Sequence, residues 1–190
     1  MINPNHKIIL GSQSPRRKEL LAGLDVSFDI RIANIVEDFP ADLAIPEIAE
    51  FIAKKKLDEL FKTAKKNELI ICSDTIVVLN EEILGKPIDR QEAKEMLRKL
   101  SGNTHVVITG VAMGDNTKQI SFSDQTAVTF KILSETEIDY YLDNYKPYDK
   151  AGSYGVQEWI GMMGITKMEG SYFTVMGLPI HLVYSELNNW

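Results

Sequence analysis

The sequence predicts an α/β fold in which a mixed, twisted sheet is flanked by helices. In the first half of the chain, short apolar segments alternate with amphipathic segments of helical spacing. Residues 69–79 form a nearly continuous apolar run, which is typical of a central strand buried on both faces. A long hairpin pattern then follows. With 190 residues, 44% of them hydrophobic and 25% charged, the chain can bury one good core, so we expect a single domain over residues 1–190.

The first half begins with a strand that Gly11 ends, after which Ser14 and Pro15 provide the N-cap and first position of a helix. A second strand, an acidic loop and a long helix with a charged outer face follow. The predicted ranges are a strand at 7–10, a helix from 15 that carries Leu20, Leu21 and Leu24, a strand at 26–33, a loop at 37–46 and a helix from 47 to about 66.

The second half begins with the central strand, which turns back through a short second segment. A helix, the two arms of the hairpin, a further helix, a glycine-rich stretch and a last helix follow. The predicted ranges are strands at 69–79 and 83–84, a helix at 90–100, hairpin arms at 106–113 and 119–133, and helices at 135–144 and 178–187. Alternation at Thr126, Val128, Phe130 and Ile132 supports the second arm.

Charge and composition exclude several classes of protein. A net charge of −6 argues against broad binding to nucleic acid, which needs Lys and Arg to neutralise phosphates. The chain has no apolar run of about 20 residues, and its start, MINPNHKIIL, lacks the basic flank of a secretory signal. We therefore expect a cytoplasmic protein without a membrane partner. The single cysteine, Cys72, lies in an apolar run and is expected to be a buried, unreactive thiol.

A first candidate site lies where the first strand gives way to the first helix. Hydroxyl groups of Ser12 and Ser14, free backbone N–H groups and the guanidinium groups of Arg16 and Arg17 converge there, as a triphosphate would require. The segment lacks the Gly-Lys-Ser/Thr ending of a Walker A loop. An ordinary capped helix with two solvated arginines is the alternative.

A second candidate is Asp74, which interrupts the central strand between Ser73 and Thr75. A carboxylate inside a buried strand is costly unless it is paired, binds a metal ion or faces a cleft. Asp74 is therefore a candidate metal ligand, a general base toward water, or both. The alternative is a structural acid that caps a neighbouring turn.

Weaker candidates are scattered along the chain. Glu37, Lys56 and Lys86 could each be a solvated charge, although Gly85 and Pro87 fix the backbone around Lys86. Residues 149–157, ending in Gln157, combine small residues, hydroxyls and an amide that could line a base or ribose pocket. The three histidines lack companions at zinc-ligand spacing, and no Gly-x-Ser-x-Gly motif is present, so zinc sites and nucleophilic hydrolases are not supported.

Taken together, these motifs resemble the Maf family of nucleotide pyrophosphatases over essentially the whole chain. The resemblance rests on the segments at 12–21, 73–77, 85–87, 97–102, 149–157, 170–172 and 175–179. It implies a fold similar to that of the inosine triphosphate pyrophosphatases, with a deep cleft between two lobes. It further implies a homodimer and a requirement for Mg²⁺ or Mn²⁺.

The resemblance also implies roles for individual residues. Asp74 corresponds to the family's proposed proton acceptor, and Asp74 with Glu37 would hold metal. Ser12, Ser14, Arg17, Glu37, Lys56 and Lys86 would bind substrate. Arg16, Thr75 and Gln157 match the positions that mark the dTTP/UTP branch, in which a pyrimidine triphosphate is cut into the monophosphate and pyrophosphate. Gln157 could pair with the imide edge of thymine or uracil.

Three departures from the family pattern are mild: Gly11, Ser73 and Leu57 stand where other residues are usual. Ser73 could change how Asp74 is hydrogen-bonded. Two rival functions stay open at this point. One is a pyrophosphatase for purine or modified nucleotides, and the other is a regulator of cell division that senses nucleotide by binding.

Overall fold

The structure is a computed structural model and describes residues 6–190. The prediction that the chain starts without a secretory signal depends partly on residues 1–5, which lie outside the described residues. Within the described part, no helix combines the length and the hydropathy needed to cross a membrane.

The elements alternate as the sequence predicts. The strands are β1 (Lys7–Leu10), β2 (Phe28–Ile30), β3 (Glu68–Leu79), β4 (Glu82–Leu84), β5 (Thr104–Gly114), β6 (Gln119–Phe130) and β7 (Ile165–Glu169). The helices are α1 (Pro15–Ala22), α2 (Ile45–Phe61), α3 (Arg90–Leu100), α4 (Glu135–Tyr145), α5 (Trp159–Gly164), α6 (Tyr172–Met176) and α7 (Ile180–Asn188), with a 3₁₀ turn at Ala151–Ser153.

The sheet is mixed, which confirms the predicted fold class. Its strands follow the order β2-β1-β3-β5-β6-β7, and β4 pairs with β3. Strand β1 is parallel to both β2 and β3, with Ile9 opposite Asp29 and Ile70. Strand β4 pairs antiparallel with β3, and β7 pairs antiparallel with β6. β5 and β6 are neighbours joined by a short turn, in which the backbone N–H of Asp115 donates to Lys118 at 2.9 Å, so the hairpin is confirmed.

The chain divides into two compact units, and the first comprises residues up to Asp74 together with 109–124 and 177–190. In its core, α2 packs Ala53, Leu57 and Leu60 against Ile70 and Cys72 of β3. Cys72 is fully buried, and burial raises the pKa of its thiol to about 12, so the prediction of a buried strand cysteine is confirmed.

A buried carboxylate fastens the hairpin turn of this first unit. Asp115, only 5% exposed, accepts hydrogen bonds from the backbone and hydroxyl of Thr117 and from the indole Nε1–H of Trp190 at 2.8 Å. His6 lies 3.1 Å from the same carboxylate. Burial raises the pKa of Asp115, but the hydrogen bonds outweigh it and hold the pKa well below its usual range.

The second unit comprises residues 75–108 and 125–176. Helices α3 and α4 pack together in it, and a ladder of ion pairs joins their exposed faces: Arg98 with Glu135, Lys94 with Asp139, and Arg90 with Asp143. Its interior holds His105, 1% exposed, whose Nε2 lies 2.7 Å from the hydroxyl of Tyr154. Burial lowers the pKa of His105 to about 4, so its ring is neutral at physiological pH.

Several predicted boundaries were wrong. Helix α2 begins at Ile45 and includes Pro46, because the first helical turn needs no N–H donor there. It ends at Phe61, where tighter turns replace it. Thr126, Val128 and Phe130 are buried as their alternation predicts, but Ile132 lies beyond the end of β6 and is 83% exposed.

Candidate functional site

The loop before α1 is built to hold a helix start against β3. Ser14 caps α1, because its hydroxyl accepts a hydrogen bond from the backbone N–H of Arg17. The backbone N–H of Ser14 donates in turn to the hydroxyl of Ser12 at 3.1 Å. Gly11 continues the pairing of β1 with β3, and a Cβ at this position would lie 2.4 Å from the sulfur of Cys72. The predicted N-cap is confirmed, and it fixes the two serines beside β3.

Arg17 is anchored by backbone and hydroxyl oxygens. Its Nε donates to the carbonyl of Gly177 at 2.8 Å, and its Nη1 donates to the carbonyl of Ser73 at 3.0 Å and contacts the hydroxyl of Ser12 at 3.4 Å. Burial lowers the pKa of Arg17, while the charges of Asp74 and Glu37 oppose this shift. An arginine remains charged under such conditions, so the guanidinium is a fixed positive charge next to the Ser73-Asp74 segment.

Lys56 joins the two predicted carboxylates. It lies on α2 and is 8% exposed, and its Nζ is 2.6 Å from Oδ1 of Asp74 and 2.7 Å from Oε1 of Glu37. Asp74 is likewise 8% exposed, whereas the side chain of Glu37 is 43% exposed. A buried carboxylate thus has the partner that its burial demands, and Glu37, Lys56 and Asp74 form one cluster.

The remaining predicted residues lie in the second unit or at the start of α1. Arg16 is half-buried beside Arg17, and Thr75 follows Asp74 on β3 as a half-buried residue. Lys86 is exposed after β4, and the carbonyl of Gly85 before it accepts a hydrogen bond from the backbone N–H of Gly152 at 3.0 Å. The loop of Lys86 is therefore bonded to the segment that leads to Gln157.

Gln157 has an acceptor without a partner. Its side-chain Oε1 is buried and accepts no hydrogen bond. Buried polar atoms are nearly always paired, so an exception needs an explanation. A ligand that donates an N–H group would supply the missing partner.

The sequence did not predict the hydrogen bonds that Gly177 accepts from Ser73 and Arg17. Ser73 was noted for its proximity to Asp74, but its hydroxyl donates to the carbonyl of Gly177 at 3.3 Å instead. Gly177, with a φ of 103°, accepts from both Ser73 and Arg17. Its position 160 residues from Arg17 left no local signal that could have revealed it.

The carboxylates present fit a divalent hard cation. Mg²⁺ is usually held by one or two carboxylates, with water and substrate phosphates completing its coordination. Asp74 and Glu37 each place one carboxylate oxygen within 2.7 Å of the Lys56 nitrogen, so both carboxylates border the same small space. Across residues 6–190, no group of three or more His, Cys, Asp or Glu side chains is arranged to hold a metal, so these residues form no all-protein cage.

The fold and this arrangement of charges are typical of an α/β protein that binds a phosphorylated small molecule, with fixed cations, hydroxyls and a helix start assembled at one strand. Residues 7–190 match the family described as Maf-like protein, and the chain belongs to that family. The family resemblance predicted from the motifs is confirmed.

Relatives that carry a functional name match nearly the full chain. A dTTP/UTP pyrophosphatase of Porphyromonas gingivalis is 50% identical over 188 residues, covering 97% of this chain and 94% of the relative. A dTTP/UTP pyrophosphatase of Bacteroides thetaiotaomicron is 50% identical over 183 residues, covering 96% and 95%. One of Flavobacterium psychrophilum is 51% identical over 185 residues, covering 97% and 95%.

Solved structures are more distant. A nucleoside triphosphatase, dITP/XTP pyrophosphatase, of Mycobacterium abscessus aligns with a TM-score of 0.41 at 11% identity, covering 65% of this chain and 74% of that one. The Ham1 protein of Staphylococcus aureus aligns with a TM-score of 0.39 at 16% identity, covering 65% and 71%.

Proposed function

We propose that this protein hydrolyses dTTP and UTP to the monophosphate and pyrophosphate, by attack of water at the α-phosphorus with the help of a divalent metal ion. The observation that carries the proposal is the buried Lys56 bridge between Asp74 and Glu37, placed beside the fixed charge of Arg17. The relatives named dTTP/UTP pyrophosphatase, about half identical over nearly the whole chain, support the choice of substrates.

Different residues of the chain bind the triphosphate, accept the proton and hold the metal ion in this proposal. Arg17, Lys56 and Lys86 attract the triphosphate, and the hydroxyls of Ser12 and Ser14 add donors at the start of α1. The carboxylate of Asp74 is a hydrogen-bond acceptor and takes the proton from the attacking water. Glu37 and Asp74 would hold Mg²⁺ or Mn²⁺, and the bound ion would neutralise phosphate charge and lower the pKa of water.

Base selection rests on Gln157 in this proposal. Thymine and uracil present an N–H between two carbonyls, and the unpartnered Oε1 of Gln157 is an acceptor for that N–H. Cytosine carries an unprotonated ring nitrogen there, so it would leave the acceptor buried and unsatisfied at a cost of about 1–3 kcal/mol. Arg16 and Thr75, which match the dTTP/UTP branch, are assigned to the same discrimination.

The reaction is tested with a panel of nucleoside triphosphates, Mg²⁺ or Mn²⁺ and ¹⁸O-labelled water, followed by mass analysis of the products. Attack at the α-phosphorus places the label in the monophosphate. Asp74→Asn keeps shape but removes the base, and we expect it to abolish turnover, whereas Asp58→Asn on the exposed side of α2 should not. Label in pyrophosphate, or an Asp74→Asn variant that turns over normally, would refute the mechanism.

Substrate choice is tested by the same panel with Gln157→Ala. We expect its preference for dTTP over dCTP to fall about tenfold or more, while Gln91→Ala, an exposed glutamine of α3, leaves it unchanged. Hydrolysis confined to purine or modified nucleotides would show a different pyrophosphatase. Tight binding without turnover would favour a nucleotide-sensing regulator of division.

The homodimer and the cytoplasmic location accompany this proposal as predictions from the family resemblance. Light scattering coupled to size-exclusion chromatography measures the first directly. A mass of 21.4 kDa, that of one chain, would refute the dimer.

A further inference from the structure

A largely buried polar network binds the residues on either side of Gln157 in the second unit. Glu158 is at its centre: one carboxylate oxygen accepts a hydrogen bond from the hydroxyl of Tyr141, and the other lies 3.2 Å from Nζ of Lys150. The side chain of Lys150 is 10% exposed and that of Glu158 is 18% exposed. Glu158, Tyr141 and Lys150 together form the Glu158 network.

The network also holds the backbone on the other side of Gln157. The hydroxyl of Tyr141 accepts from the backbone N–H of Gly155 at 3.0 Å, and the carbonyl of Gly155 accepts from the backbone N–H of Glu158 at 3.0 Å. A Cβ at Gly155 would lie 2.7 Å from the carboxyl carbon of Glu158. A side chain at residue 155 would therefore force the carboxylate of Glu158 to shift, and the two hydrogen bonds hold residues 155–158 as a turn.

Burying such a network contributes little net free energy to the stability of a loop. Apolar packing of similar volume is often as stable as a buried ion pair or more so, because charges lose hydration on burial. A fully satisfied polar network, in contrast, rigidifies its surroundings and fixes one geometry. Tyr141 is completely buried, and burial together with its bond to Glu158 raises the pKa of its hydroxyl, so the hydroxyl stays protonated and can donate.

We propose that Glu158, Tyr141 and Lys150 are positioning residues that fix the turn at Gln157, so that its side-chain amide meets a pyrimidine base in one orientation. This inference rests on the proposed function. The network itself touches no substrate atom. It acts on specificity through Gln157, since a shift of about 1 Å is enough to weaken a positioned contact.

The test uses Tyr141→Phe, which preserves the buried ring but removes the hydroxyl shared by Gly155 and Glu158. We expect kcat for dTTP within twofold of the wild-type value, an increased KM, and a three- to tenfold loss of the kcat/KM ratio of dTTP over dCTP. Tyr145→Phe is the matched control, because Tyr145 stacks on Tyr141 with ring centroids 5.1 Å apart. Tyr145→Phe should leave kcat, KM and the kcat/KM ratio of dTTP over dCTP unchanged.

A second pair of variants covers the case in which Tyr141→Phe fails to fold. Glu158→Ala should lose discrimination as above, and Glu158→Gln, which still accepts from Tyr141, should restore part of it. A merely structural role would lower the active fraction and reduce kcat equally for all nucleotides, with an unchanged ratio. If the wild type prefers dTTP but the variants show only this uniform loss of kcat, the inference alone is overturned. If the wild type hydrolyses neither dTTP nor UTP, the proposed function is overturned and the inference with it.

Discussion

Replacing Lys56 by methionine should destabilise the protein strongly, because it removes the partner of a buried carboxylate while keeping the length of the side chain. The side chains of Lys56 and Asp74 are 10% and 11% exposed, and breaking such a buried pair costs about 3–5 kcal/mol. Glu37, 43% exposed, stays hydrated and adds little. Arg17 remains nearby as a positive charge, so we expect about 3 kcal/mol, at the lower end of that range.

Urea unfolding at pH 7 measures this loss. With an m-value of about 2 kcal/mol/M, a loss of about 3 kcal/mol lowers the midpoint by about 1.5 M. Lys55→Met is the matched control. Lys55, the residue before Lys56 on α2, pairs with Asp38, whose side chain is 71% exposed, and the loss of this pair should cost about 0.5 kcal/mol or less. Equal midpoints for the two variants would show that Asp74 does not depend on Lys56 for its burial.

Three further variants test packing, titration and a hydrogen bond by the same unfolding measurement. Gly110→Ala places a Cβ 2.2 Å from a backbone nitrogen of α2 and should cost at least about 1–3 kcal/mol. For His105, whose pKa is lowered to about 4, the unfolded state binds more protons between about pH 6.5 and 4, so stability falls on acidification by up to about 3 kcal/mol. His105→Gln should make the free energy of unfolding depend less on pH between about pH 6.5 and 4. Trp190→Phe removes a donor from the buried carboxylate of Asp115 and should cost about 1–2 kcal/mol.

Matched variants separate these effects from general damage. Gly85→Ala places its methyl group where no atom lies within 4 Å and should leave the midpoint unchanged. Trp159→Phe makes the same exchange as Trp190→Phe at a half-buried position of α5. If either control loses as much stability as its partner, the proposed cause is wrong. A His105→Gln curve as steep as that of the wild type would likewise contradict the role of burial.

Much of the fold follows from local signals in the sequence. Proline after a serine marked the start of α1, and an unbroken β-branched run marked β3. Element α5 was missed because its six residues are too few to show periodicity, and β7, five residues at 165–169, is equally short. Ile132 was misassigned because alternation cannot indicate where a strand ends.

The site was predictable where a residue is unusual for its surroundings. Asp74 was found because an acid is rare in a buried strand, and its pairing with Lys56 joins residues 18 positions apart. Glu37 and Lys56 were only weak candidates by their local pattern, and the family resemblance gave them their roles. Tyr141 and Glu158 gave no signal, since a tyrosine on an amphipathic helix and a glutamate after Gln157 are ordinary until the hydrogen bond between them is visible.

The bond between Arg17 and Gly177 has a consequence for the protein during its synthesis. The two residues are 160 positions apart, and a ribosome adding about 5–20 residues per second needs roughly 8 to 30 s to cover that distance. Until then the guanidinium lacks the carbonyl of Gly177 to which its Nε donates, and the hydroxyl of Ser73 lacks the same acceptor. A nascent chain therefore emerges with Arg17 and Ser73 lacking the Gly177 carbonyl, and these two contacts form only after Gly177 has left the ribosome.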